Sequence, residues 1–184
     1  EGPRVPISVQ VISLPTATIT GATTICTGNT ATISFSGTPN SEVTFTENSG
    51  ANQTLPLDND GLATFTTPVL TDTTTYTLVN VEVIGSTTCA QALNQNILVT
   101  VTPLATQDVV FSYNDVCILS TINPTPISGT NFATGGTFSS STLDVNASTG
   151  EINMATATAG QHEITYTLSS NNIACTAGGS HTAT

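Results

Sequence analysis

The chain has 184 residues, enough for one large or two small domains, with 38% hydrophobic residues, 5% aromatics and no Trp. Twelve acidic residues stand against a single basic one, Arg4, giving a net charge of -11. A surface that neutralises phosphates needs several Lys or Arg side chains, so nucleic-acid binding is excluded, and docking on an anionic membrane fails for the same reason. No apolar run approaches the ~20 residues of a spanning helix, so no membrane insertion is expected. Roughly one residue in five is Thr, which is stiff at χ1 and fits a pleated, half-exposed surface. The chain therefore reads as all-β, with small cores of Val, Ile, Leu and a few Phe and Tyr.

In chain order, "EGPRVPISVQVISLP" opens in strand-like alternation, and residues 1–14 are expected to be the last strand of a preceding domain. Apolar alternation and turn signals then place strands at 16–20, 30–36, 41–47, 52–57, 61–67, 73–84 and 95–102. In the second of these, Ala31, Ile33 and Phe35 alternate with Thr32, Ser34 and Ser36. "NSGANQ" (48–53) and "DNDG" (58–61) carry hairpin-turn residues. In "TTTYTLVNVEV" the apolar positions Tyr76 and Leu78 change parity to Val81 and Val83, which predicts a bulge near Asn80. Later strands are read at 109–114, 136–141, 150–155 and 162–170, with 122–130 as a loop or edge. The chain stops at "GGSHTAT", where another strand is starting, so it is expected to be a window on a longer chain.

"VQVISLPTATITG" (9–21) and "VTVTPLATQDVVF" (99–111) share an alternating strand, a Pro-containing joint and a new strand. The joint thus recurs after about 90 residues, the size of one small β-sandwich. The division follows: one domain over 15–103 and a second, C-terminally incomplete, over 104–184. Each contains an early and a late cysteine. Of the three possible connectivities, the one that repeats within units, Cys26–Cys89 and Cys117–Cys175, is favoured. Each bond would close a loop of about 60 residues and contribute near 4 kcal/mol in the chain-entropy model. It would also imply an oxidising, extracellular compartment. The alternative is free thiols in a reducing one. Neither pair has the CxxC spacing of a zinc site.

Seven short strands with turns every 8–12 residues suggest an immunoglobulin-like sandwich. The stretches "ICTGNTATISFSGTP" and "VTFTENSGANQTLPLDNDGLATFTTPVLTDTTTYTL" resemble the immunoglobulin-like repeats of very large cell-surface adhesins of Bacteroidota. "GGTFSSSTLDVNASTGEINMATATAGQHEITYT" resembles a second repeat type of the same proteins. The resemblance covers about residues 9–184. It implies two consecutive immunoglobulin-like domains of a multi-domain protein exported by the type 9 secretion system, of which gliding-motility adhesins are the best-known members. It carries no catalytic residues to transfer.

Sites of chemistry are sparse. Asp58 and Asp60 could open a calcium loop, but positions 5 and 12 of the pattern are Leu62 and Val69, so a turn is expected. Asp108 and Asp115 are the candidates for calcium at the joint between units; otherwise no metal and no cofactor is expected. His162 and His181 lack HxH or HxxxH spacing, and His162 falls where a surface position is expected. No GxSxG elbow appears, and no enzymatic activity is expected. "DTT" (72–74) resembles the O-glycosylation acceptor of Bacteroidota, which makes Thr73 the attachment candidate.

The reading that results is a structural repeat segment of an extracellular filamentous adhesin, a stiff, disulfide-clamped stalk for attachment or gliding at the cell surface. Its partners would be neighbouring repeats of the same chain, with surface polysaccharide gripped by other domains. Each unit would add about 35–40 Å. Two rivals stand beside it. One is a carbohydrate-binding module, favoured if Tyr113 or Phe132 lines a shallow groove. The other is a pilus subunit in which strand 5–13 completes a neighbour's sheet.

Overall fold

The computed structural model describes residues 11, 13–84, 89–118 and 120–184. The expected strand over 1–14 therefore lies almost wholly outside the described residues, as does strand 5–13 of the pilus reading. The chain divides into two compact units, one ending at Thr102 and the other running Pro103–Thr184. Every regular element among the described residues is a β-strand.

Unit 1 is built of β1 (Ala17–Gly21), β2 (Thr24–Cys26), β3 (Thr32–Gly37), β4 (Ser41–Glu47), β5 (Asn52–Pro56), β6 (Leu62–Thr66), β7 (Thr74–Val83) and β8 (Cys89–Thr102). One sheet has the order β1-β3-β6, the other β2-β8-β7-β4-β5. The period-2 pattern decides which side chains turn inward. Ile33 and Phe35 of β3, Val43 and Phe45 of β4, and Tyr76, Leu78 and Val81 of β7 are all buried in one core fed by both sheets, the arrangement of a β-sandwich. Its aromatics form a row: Phe35–Phe45 and Phe45–Phe65 ring centroids are 5.0 and 5.1 Å apart, and Phe65–Tyr76 are 6.1 Å apart.

The parity change in β7 is the expected bulge. Val79 is skipped on both sides: Leu78 pairs with Phe45 and Gln95, and Asn80 with Thr44 and Ala92. One extra residue returns Val81 to the core. The β4–β5 connection is a type I′ turn in which Asn48 and Ser49 take φ of 47° and 60°. The Gly50 N–H closes it on the Glu47 carbonyl at 2.7 Å. Asn tolerates this conformation, so the turn does not need its glycine at the strained position.

Two features were not anticipated. β8 begins at Cys89, six residues before the expected 95, and reaches 14 residues. β2 is a three-residue strand lying parallel to the end of β8, with Thr24, Ile25 and Cys26 opposite Thr100, Val101 and Thr102.

Unit 2 contains β9 (Phe111–Ser112), β10 (Ile127–Ser128), β11 (Thr137–Ser139), β12 (Ile164–Leu168) and β13 (Gly179–Ala183), in sheets β10-β9 and β11-β12-β13. Phe111 is its hub, with ring contacts to Tyr113, Phe132, Phe138, Tyr166 and His181 at 5.3–6.5 Å. The expected strand 150–155 is instead a bridge, Val145 to Ile152, followed by a turn. The Asn146 carboxamide oxygen accepts the Ser148 and Thr149 N–H groups at 2.9 and 3.1 Å, diverting backbone that a ladder would use.

Candidate functional site

A cleft of about 380 Å³ opens in unit 2. Its floor is set by the alternation that fills the core: Ile152, Met154 and Ile164 are buried, and Leu143 is half-buried beside them. One wall is Tyr113, which follows β9. Its ring stands edge-on to Phe111 at 5.8 Å, and its hydroxyl donates to the Gly150 carbonyl at 2.6 Å. Burial pushes this phenol up to about 12.

The segment 157–162 also lines the cleft. Gly160 turns it with φ of 143°, a conformation that favours glycine. The His162 ring then pins it: Nδ1 lies 2.9 Å from the Thr142 hydroxyl and Nε2 2.8 Å from the Thr158 carbonyl. His162 is thus half-buried, not the surface position expected, and neither ring nitrogen is left over for proton transfer. Asn114, Asp115 and Gln161 are exposed on the lining and make no hydrogen bond among the described residues. Sequence reasoning singled out Tyr113 and Asp115 but neither amide. Asn114 and Gln161 are isolated polar residues on separate loops, with no local signal. A second, more open depression of about 770 Å³ is lined by Phe132, Gly135 and Asn171. The Phe132 ring itself packs on Tyr166 at 4.9 Å.

The remaining candidates fall elsewhere. Asp58 serves its own turn: Oδ1 accepts the N–H groups of Asp60 and Leu62 at 2.9 and 2.8 Å. Asp108 Oδ1 accepts the Val110 N–H at 3.0 Å, while Asp115 lies on the cleft rim. Among the described residues no three His, Cys, Asp or Glu side chains gather to hold a metal ion. Among them, too, no helix is long and apolar enough to cross a membrane. Thr73 is exposed just ahead of β7, and its hydroxyl accepts the Val101 N–H at 3.1 Å.

The cysteines overturn the expected pairing. Cys26 and Cys175 are the disulfide-bonded residues, and Cys89 and Cys117 are free thiols. Register rules out Cys26–Cys89. Cys26 lies opposite Thr102 at one end of β8, and Cys89 begins that same 14-residue strand at the other. At about 3.3 Å per residue the two are some 40 Å apart, against the under 7 Å between Cα atoms that a disulfide allows. Cys117 is exposed on the loop that follows β9. Cys175, which sits with φ of 51° in the turn 171–176, is disulfide-bonded while Cys117 is a free thiol, so Cys117–Cys175 does not form either. Titrating the denatured, unreduced chain with a thiol reagent is expected to give two thiols. A non-reducing map with a Glu-specific protease should find Cys89 and Cys117 alkylated; recovery of either as a cystine peptide would contradict this arrangement.

No protein-family model matches the chain, and no curated protein matches it.

Proposed function

We propose that the chain is a load-bearing segment of an extracellular, cell-surface filamentous adhesin, composed of immunoglobulin-like sandwiches in series and exported by the type 9 system. The strand orders β1-β3-β6 and β2-β8-β7-β4-β5 support the immunoglobulin-like reading of unit 1, since two largely antiparallel sheets, one holding β1, β3 and β6 and the other pairing the last strand β8 with β7, face each other as in such sandwiches. A disulfide in the chain supports an oxidising compartment.

The observation that carries the proposal is parallel pairing between an early and a late segment, found in both units. In unit 1, β2 runs parallel to β8; the Thr27 N–H meets the Thr102 carbonyl and the Thr100 N–H the Thr23 carbonyl, both at 2.9 Å. In unit 2, Ala105 bridges Thr176 in parallel, with bonds from Ala105 N–H to Cys175 and from Ala177 N–H to Ala105, both at 2.8 Å. Parallel pairing of an early with a late segment runs both in the same direction along the unit, which suits units threaded in series. A pull on those segments loads the bonds along the strand axis, so they must break together and not one at a time.

Two measurements test this. An antibody raised against the chain should detect, in denaturing gels of intact cells, a surface-accessible polypeptide of several hundred kilodaltons; a band near 18.8 kDa would refute the tandem reading. In single-molecule pulling under reducing conditions, Ile25→Pro removes the central donor of β2 and should cut the rupture force of unit 1 at least about twofold. Phe65→Leu, a core change away from this pairing, should leave the force near native. Equal forces for the two variants would sink the mechanical role.

A further inference from the structure

We propose that the cleft of unit 2 binds one neutral hexopyranose residue of a glycan, so that this segment grips sugar itself in addition to spanning distance. The inference stands apart from the stalk reading. Its volume of about 380 Å³ is that of a small-ligand site. The chemistry of the lining selects the occupant. Ile152, Met154 and Leu143 give an apolar floor that suits the C–H face of a pyranose, and the Tyr113 ring is held as a wall by its bond to Gly150.

Asn114, Asp115 and Gln161 line the same cleft, exposed and with no hydrogen bond among the described residues. A carboxylate accepts two O–H donors, and each carboxamide both donates and accepts. Sugar hydroxyls, which do both at once, match that set. An ammonium ligand would use Asp115 and leave two amides idle. An anionic sugar would meet Asp115 and a chain of net charge -11. The neutral sugar is the occupant that satisfies all three side chains. The rim is rigid enough to preorganise it, because His162 is bonded at both nitrogens.

The test is nuclear magnetic resonance titration of the isotope-labelled 184-residue chain with the methyl glycosides of glucose, galactose, mannose and fucose, and with glucuronic acid and butylamine as contrasts. At least one neutral glycoside is expected to shift the side-chain amides of Asn114 and Gln161 with a roughly millimolar dissociation constant. Asn114→Ala and Gln161→Ala, both exposed positions with little bearing on folding, should each weaken it about tenfold, and Thr73→Ala in unit 1 should not. The proposal is overturned if no glycoside shifts these amides at about 50 mM, if in each alanine variant the remaining amide still reports undiminished affinity, or if glucuronate or butylamine binds equally well.

Discussion

Gly61→Ala is expected to destabilise unit 1 by about 3 kcal/mol or more and to lower its thermal midpoint by some 15 °C. Gly61 ends the Asp58–Gly61 turn with φ of 76°, and its carbonyl accepts the Gly37 N–H at 2.8 Å. A Cβ there would lie 2.1 Å from the Gly37 carbonyl oxygen, a backbone atom that cannot rotate away. The substitution thus combines a left-handed conformation on an L side chain with forced separation of β3 from the start of β6. Gly28→Ala is the control. Gly28 also has positive φ, 88°, but a Cβ there meets nothing within 4 Å, so only the conformational cost of about 1 kcal/mol applies. Calorimetry of the two variants separates collision from strain; equal losses would mean that the β3–β6 approach is looser than described.

Tyr166→Phe and Tyr76→Phe remove the same atom and should move stability in opposite directions. Tyr166 is buried in unit 2, where its hydroxyl donates to the Ala133 carbonyl and accepts the Gly136 N–H, both at 2.7 Å. The approach depends on Gly136 having no side chain, since a Cβ there would meet the phenol carbon at 2.5 Å. Phe leaves two backbone groups without partners, a cost of about 2–4 kcal/mol. Tyr76 lies fully buried in unit 1 with a hydroxyl that finds no partner among the described residues. Burial, and then the Glu47 carboxylate, push its phenol up to about 12. Phe there removes an unpaired polar group and should be neutral or stabilising by up to about 1 kcal/mol. A loss at Tyr76 comparable to that at Tyr166 would show that its hydroxyl is satisfied in solution.

The strands that could be read in advance were those whose side chains alternate between a core and water. β3, β4, β6 and β7 all do so, and even the bulge at Val79 was visible, because a one-residue slip reverses which faces are apolar. What escaped reading was set by pairing in space. β2 is too short to show a period, and the first half of β8, "CAQALN", is held by its ladder to β7 more than by apolar content. The cysteine pairing failed for the same reason: counting residues between cysteines says nothing of which end of a long strand each one occupies. Unit 2 was blurred because Asn and Ser side chains, such as those of Asn146 and Asn171, bond to nearby backbone and replace ladders with turns. The cleft joins loops after β9 and before β12, so only its aromatic wall had announced itself.

The five-stranded sheet of unit 1 ends in β2, three residues long, on one side, and on the other in β5, which closes at Pro56 opposite Glu42. Neither margin offers a long row of free donors and acceptors. Blunt margins give the strands of a second molecule little to add to, so concentrated protein is guarded against the edge-to-edge growth that leads to amyloid.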